Sequence, residues 1–348
     1  MEFIEDLAKK IRSRKLQLAI AAVAFTAILP IFLRSEYIVG NVLTLIVIFA
    51  IYASSWNLLA YSGQGSLGHA AFLGIGGFAS ALLATKIGLP PIMGIFVGGF
   101  ISAGIGFLLG LACVRLKAWF LAMVTFGFSV IVVAVISQFD AFFGGMNGFP
   151  TPTIFPQPQA FPFYYLTLAI AVVSIGVIFW VMKSKLGLAF KAIRENEPEA
   201  KMIGINTGKY RLLAFVISTF FAGLAGGLYV QPILSVQISI FEPYFSFLPL
   251  IMAVIGGLST IEGPIIGSII IVSIEVFPLP LADKYLAPLS PIFPGVSNVG
   301  PPLRLVALGI FLIVVVIFFP KGIASLLHKA YNYLREDTSK AKKIEGQR

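Results

Sequence analysis

Histidine occurs twice in the 348 residues, cysteine once and aspartate four times, and charged residues of all kinds make up only 11%. Each shortage excludes something. Cys113, alone in an apolar run, rules out a disulfide framework and a thiolate metal centre. His69 and His328 are too far apart in sequence to point to one metal site, and no HExxH pair occurs. Asp6, Asp140, Asp283 and Asp337 are scattered, so the clustered acid–base groups of an intramembrane enzyme cannot be assembled. A GxxxxGKS/T phosphate loop is also missing. Any ATP used with this chain is therefore bound by another chain, and no cofactor is expected on this one.

What is present is hydrocarbon. Hydrophobic residues make up 58% of the chain, against about 45–50% apolar and about 25% charged in soluble domains. A soluble core cannot hide that much apolar surface, so lipid is the solvent for most of it. The net charge of +10 does not point to nucleic acid. Its basic residues sit at chain ends and in short loops rather than on one continuous face, which is the pattern of membrane topology signals.

A helix needs roughly 17–25 apolar residues to cross a bilayer. That ruler gives segments at 17–33, 37–60, 66–85, 91–113, 118–138, 163–182, 211–230, 246–258, 263–279 and 303–319. Glycines make 66–85, and length makes 246–258, candidates for re-entrant segments. With the N-terminus inside, only Arg34, Lys86, Lys284 and Arg304 of the 25 lysines and arginines fall outside. The expected organisation is a cytoplasmic stub over 1–16 before an uncleaved first span, a membrane domain over 17–320 and a basic cytoplasmic tail over 321–348. Residues 183–210 form a cytoplasmic loop; 139–162 and 280–302 are outer loops.

Loop 139–162 divides the spans five and five, and an odd number per half forces the second half to enter from the opposite side. The fold class is therefore an all-α polytopic membrane protein of about ten transmembrane or re-entrant helices in two inverted five-helix halves. Solute paths run between such halves. Charge within spans is scarce: Glu275 and His69 are the ionisable groups well inside segments, and Glu275 is near enough to its helix end to snorkel. The outer loops are rich in proline and aromatics. They suit either a belt on lipid headgroups or a platform for an extracytoplasmic partner, as does 231–245.

Two stretches carry more specific information. In "GQGSLGHAAFLGIGGF", residues 63–78, Gly63, Gly65 and Gly68 favour a helix break before His69, while Gly74, Gly76 and Gly77 suit close helix packing. Non-helical backbone at membrane depth is tolerated only in protein or beside a cavity, so Gln64, Ser66 and His69 are candidates for the wall of a solute path. Thr125 and Ser129 in the 118–138 span are further candidates. The second stretch, "RENEPEAKMIGIN" at 194–206, begins a helix with Asn196, Glu197, Pro198 and Glu199 and ends it at Gly204.

The chain resembles the M-type (LivM-like) permease subunit of branched-chain amino-acid ABC importers over roughly residues 37–328. The resemblance is carried by "SGQGSLGHAAFLGIGGFASALL", "RLKAWFLAMVTFGF", "GGMNGFP", "AIRENEPEAKMIGIN", "RLLAFVISTFFAGLAGGLY" and "FSFLPLIMAVIGGLSTIEGPIIG", in that order. It implies a prokaryotic inner-membrane protein that moves hydrophobic amino acids inward. The implied partners are a second related permease, two cytoplasmic ATPase subunits and an extracytoplasmic binding protein. It also implies that Arg194, Glu195, Asn196, Glu197, Glu199, Ala200 and Gly204 form an ATPase-coupling element. Glu199, Ala200 and Gly204 fit the "EAA…G" frame of such elements, whereas Pro198 stands where a leading glutamate is usual. The competing reading is an ion-coupled secondary transporter or channel acting without ATPase partners.

Overall fold

The computed structural model describes residues 17, 20–113, 116, 118–145, 148–156 and 159–276, with 306, 309, 310, 313, 314, 317, 322 and 323. The stub 1–16, the loop 280–302 and nearly all of the tail 321–348 lie outside the described residues.

The described chain is almost entirely helical. In order it forms α1 (Ile20–Leu33), α2 (Glu36–Tyr61), α3 (His69–Lys86), α4 (Pro91–Cys113), α5 (Ala118–Gln138) and α6 (Ala160–Lys183). Two short helices follow, α7 (Lys185–Glu195) and α8 (Glu197–Met202), then α9 (Thr207–Ile233), α10 (Pro243–Gly256) and α11 (Glu262–Val276). Five helices (α2, α4, α5, α6 and α9) are long and apolar enough to cross a membrane. At 14 residues α10 spans about 21 Å, short of a hydrocarbon core of about 30 Å. The shortness that makes 246–258 a candidate re-entrant segment is thus present in the helix itself.

Helices α2 and α9 form the buried centre, and α4, α5 and α6 are far more exposed. The closest packing joins α9 to α3 and α4, while α2 packs on α6, α10 and α11. Small residues permit this. A side chain on Gly76 would strike the Gly223 backbone, and the single Ser102 hydroxyl proton of α4 is shared between carbonyls on both neighbours, Phe72 at 3.1 Å and Thr219 at 2.9 Å. Gly74 lies against the Phe241 ring and Gly77 against Val230, so all three glycines serve packing.

Pro249 interrupts α10 and cannot donate to the carbonyl of Phe245, four residues back. Tyr52 of α2 supplies the missing donor, its hydroxyl reaching that carbonyl at 2.8 Å. Asn57, one turn further along, holds the α10–α11 turn through Thr260 O at 2.6 Å and Ser259 N at 2.7 Å. Glu275 does not simply snorkel: half-buried, it accepts a hydrogen bond from the Tyr244 hydroxyl of α10.

At the end of the bundle away from the short helices α7 and α8, two connections meet. Phe149–Pro150 (β1) pairs antiparallel with Ser235–Val236 (β2), and Phe149 packs edge-on against Phe78. The two loops read from sequence as partner surfaces are thereby joined.

Candidate functional site

The helix break falls where its glycines suggest. Helix α2 ends at Tyr61, residues 62–68 are non-helical, and α3 starts at His69. Gly63 takes a φ of +76°, and a Cβ there would lie 2.9 Å from the Cα of Arg194. Both the turn and the close approach require glycine.

Gln64, Ser66, His69 and Thr125 are all buried, and most of their polar groups are met inside the protein. Gln64 donates from Nε2 to Ser62 Oγ and to the Arg211 carbonyl, both at 2.9 Å. The Ser66 carbonyl accepts from Trp56 Nε1 at 2.8 Å, and Thr125 Oγ1 accepts from Leu67 N at 3.3 Å. His69 stacks on Tyr52 with ring centres 5.3 Å apart, and its Nε2 lies 3.0 Å from Ser55 Oγ. Ser55 Oγ also reaches the Tyr52 carbonyl at 2.7 Å. While the single Ser55 proton serves that carbonyl, His69 Nε2 is the donor and Nδ1 the acceptor. Nδ1 and Ser66 Oγ have no partner among the described residues although buried, and orphaned buried polar atoms are rare in native proteins.

Ser129 belongs to a different place. It lines a cavity of about 360 Å³ between α5 and residues 237–243, with Phe126, Val130, Gln237, Ser239 and Glu242. Its hydroxyl donates to the Phe241 carbonyl at 3.4 Å. The five pathway candidates thus divide into a packed cluster of four and one cavity residue.

The coupling candidates fall on two helices, where sequence suggested one. Ser184 caps α7 by accepting from Leu186 N at 3.1 Å, and α7 buries Gly187, Ala189, Phe190 and Ile193, so Arg194 and Glu195 are its last residues. Asn196 then caps α8, accepting from Glu199 N at 3.4 Å and donating to Glu199 Oε1 at 2.6 Å. Gly204, at φ +86°, ends the turn by donating to Lys201 O at 3.0 Å. Ala200 is buried against the protein and Glu199 is exposed. Met202 and Ile203, which sequence reading passed over, are 79% and 74% exposed at the tip of α8.

Both short helices are fastened to the break. Glu197 receives Arg211 Nη1 at 3.2 Å, Lys201 Nζ at 2.9 Å and Thr207 Oγ1 at 3.2 Å. The hydrogen bond from Lys201, together with the Arg211 and Lys201 charges, holds the Glu197 carboxyl below the usual glutamate range, with partial burial acting the other way. Arg211 is buried and also offers its carbonyl to Gln64. Arg194 lies over the Tyr61 ring at 5.3 Å and backs onto Gly63. Two stretches that looked independent in the sequence are one structure. Tyr52, Ser55, Trp56, Arg211 and Ser218, whose hydroxyl holds the Ser55 carbonyl at 2.7 Å, complete it. The polar run Ser54–Asn57 inside an apolar span was the available signal for part of this set.

Comparison with known proteins fits this architecture. The family model "Branched-chain amino acid transport system / permease component" matches residues 38–318. The chain is 30% identical over 261 residues to "High-affinity branched-chain amino acid transport system permease protein LivM" of Escherichia coli, covering 67% of this chain and 61% of that protein. It is 24% identical over 224 residues to "Probable branched-chain amino acid transport permease protein LivM" of Methanocaldococcus jannaschii, covering 59% and 65%. A shorter match, 34% over 112 residues, covers 30% of this chain and 33% of "Probable branched-chain amino acid transport permease protein LivH" from the same organism. No solved structure matches significantly. The apolar helices and the match over most of the length make this chain a multi-pass membrane protein of the branched-chain amino acid transport system permease family.

Proposed function

We propose that this protein is a permease subunit of an ATP-binding-cassette importer for branched-chain or other hydrophobic amino acids. It forms the solute path with a second, related permease in the inner membrane. Two cytoplasmic ATPase subunits supply the energy and an extracytoplasmic binding protein delivers solute. The chain holds no cofactor of its own, and both termini are cytoplasmic.

The observation that carries this reading is the fastening of α8 to the helix break through Glu197, Arg211 and Gln64. A cytoplasmic helix with a capped start, a glycine stop and an exposed apolar tip suits insertion into a partner's groove. Displacing it would pull on the 62–68 segment and so on Ser66 and His69, whose orphaned atoms would meet water or solute in another conformation. Thr125 and Ser129 extend the path along α5. The packing also supports inverted halves: α9 of the second half sits on α3 and α4 of the first, and α2 of the first sits on α10 and α11 of the second.

Reconstitution with the partner subunits in vesicles tests it. ATP with binding protein should drive leucine uptake, and an imposed proton or sodium gradient without ATP should not. Uptake driven by the gradient alone would establish the secondary-transport reading instead. Within the working complex, Gly204→Asp should release the ATPase or uncouple hydrolysis from uptake; normal transport by that variant would remove Gly204 from the coupling element.

A further inference from the structure

The cavity beside α5 has a composition that its packing role does not explain. Phe126, Val130 and Val133, with Ser129 among them, form a mainly apolar wall on α5, and the lining opposite, residues 237–243, includes the polar residues Gln237, Ser239 and Glu242. All three are exposed, and none makes a side-chain hydrogen bond or ion pair among the described residues. An acid at a helix start is ordinarily explained by capping or by the helix dipole. Glu242 immediately precedes α10, yet its side chain makes no capping hydrogen bond. Glu242 is also the one ionisable group in the cavity lining. At about 360 Å³ the space lies in the lower part of the range for small-molecule sites, about 300–1,000 Å³.

Those features select a chemistry. A carboxylate repels anions and leaves a purely aliphatic solute with a desolvation cost, whereas a primary ammonium meets it with a charge-assisted hydrogen bond. The opposite wall suits a short branched hydrocarbon. Gln237 and Ser239 carry N–H and O–H donors for an anionic group held between the two. We propose that this cavity is a binding site on the entry side for a zwitterionic aliphatic amino acid, with Glu242 receiving its α-ammonium group and Val130 and Val133 its side chain. The proposal rests on the importer reading above. It adds a residue of this chain that distinguishes solutes, beyond any selection made by a binding protein. A lipid headgroup with a primary amine shares the ammonium chemistry, so the test separates the two sources.

The complete complex is reconstituted in vesicles of phosphatidylcholine and phosphatidylglycerol, which carry no primary amine, and ATP-driven leucine uptake is measured. Failure of the unaltered complex to transport leucine counts against the importer reading and leaves Glu242 out of the question. Given transport, Glu242→Gln should lower uptake by about tenfold or more, the worth of one charge-assisted hydrogen bond, while binding-protein-stimulated ATP hydrolysis stays within twofold. Glu242→Asp, which keeps the charge, should recover most of the uptake. Val130→Trp, which fills the apolar wall, should reduce leucine uptake more than alanine uptake. Uptake by Glu242→Gln within twofold of the parent overturns the proposal. An equal loss of stimulated hydrolysis overturns it too, by assigning Glu242 to partner docking. A loss seen only after phosphatidylethanolamine is added overturns it in favour of the headgroup.

Discussion

Two stretches of non-helical backbone each lead into a helix, residues 62–68 before α3 and 234–242 before α10, and they are built in opposite ways. The first, at the basic end, is sealed: glycine backbone lies on Arg194, and Gln64 is bonded on both sides. The second, apart from the 3₁₀ turn at Ile238–Phe241, runs along a cavity with exposed polar side chains. Under the proposed inverted halves the two are counterparts. The molecule is tight where an ATPase would push and open where solute would arrive. An importer awaiting solute needs that combination, and the strongest tests are those that loosen the tight end or fill the open one.

The largest effect is expected from Gly63→Val. A β-branched residue at φ +76° is strained by about 1–3 kcal/mol, and its Cβ also meets the Arg194 backbone, which cannot yield as a flexible side chain would. Thermal unfolding of the detergent-solubilised protein should shift down by several degrees, and uptake should fall to background. Gly65→Val is the control, because nothing lies within 4 Å of a Cβ there. If the two variants melt alike, the tight-end description is wrong.

Next is the exposed tip of α8. Met202→Asp with Ile203→Asp places two charges where an apolar anchor is proposed, and truncating an interface anchor costs about 2 kcal/mol or more. Co-purification of the ATPase should drop by at least about thirtyfold, with the melting temperature of the permease itself unchanged. Full retention of the ATPase would remove the tip from the contact. Arg211→Met should act one step inward. The ATPase stays bound, but hydrolysis continues without matching uptake, because the fastening of α8 to Gln64 and the break is cut. Adding Glu197→Gln should restore part of the melting temperature, since the single variant leaves a carboxylate without its buried partner.

Much of this was legible in the sequence, and the failures have physical reasons. The bounds of α4 and α5 coincide with the apolar runs 91–113 and 118–138, because length in hydrocarbon is a local property. Asn196, Pro198 and Gly204 mark α8 because caps and stops are also local. Helix α7 was hidden inside the same loop: Lys185, Lys191 and Arg194 read as topology signals, and they masked the apolar stripe of Leu186, Phe190 and Ile193. The cluster partners were invisible for another reason. Ser218 is 163 residues from the Ser55 carbonyl it holds, and Gln64 is 147 from the Arg211 carbonyl. The cavity shares this origin, since α5 and residues 237–243 meet only through the fold. Family resemblance pointed to the coupling role proposed for the 194–206 stretch, while the bond from that stretch to the break came from the structure.

A smaller effect should follow Tyr52→Phe. It removes the donor to the Phe245 carbonyl that Pro249 leaves open, and an unmet buried carbonyl costs about 1–3 kcal/mol. The melting temperature should fall by a few degrees. Adding Pro249→Ala in the same chain should recover part of the loss, since an alanine at that position supplies its own N–H to the carbonyl. No recovery would show that the Phe245 carbonyl is not what makes the Tyr52 hydroxyl matter.

The smallest effect is a dependence on acid at the tight end. Glu197 is held below the ordinary glutamate value of 4.5 by the Lys201 hydrogen bond first, then by the charges of Arg211 and Lys201 and the bond from Thr207. A carboxyl whose folded value is depressed contributes stability that is fully present above its unfolded value and is lost as pH falls through the folded one. The contribution should therefore be constant from neutrality down to about pH 5 and decline below about pH 4.5. With the Glu197 side chain 32% exposed, solvent screening keeps it to about 1 kcal/mol or less. The difference in melting temperature between the parent and Glu197→Gln should be one or two degrees at neutral pH and shrink as the pH drops toward 4. Arg211→Met should flatten that difference only in part, because the Lys201 ammonium, bonded to the carboxylate at 2.9 Å, remains. A difference that grows on acidification would reverse the sign and show that burial, rather than the basic partners, governs Glu197 at the sealed end.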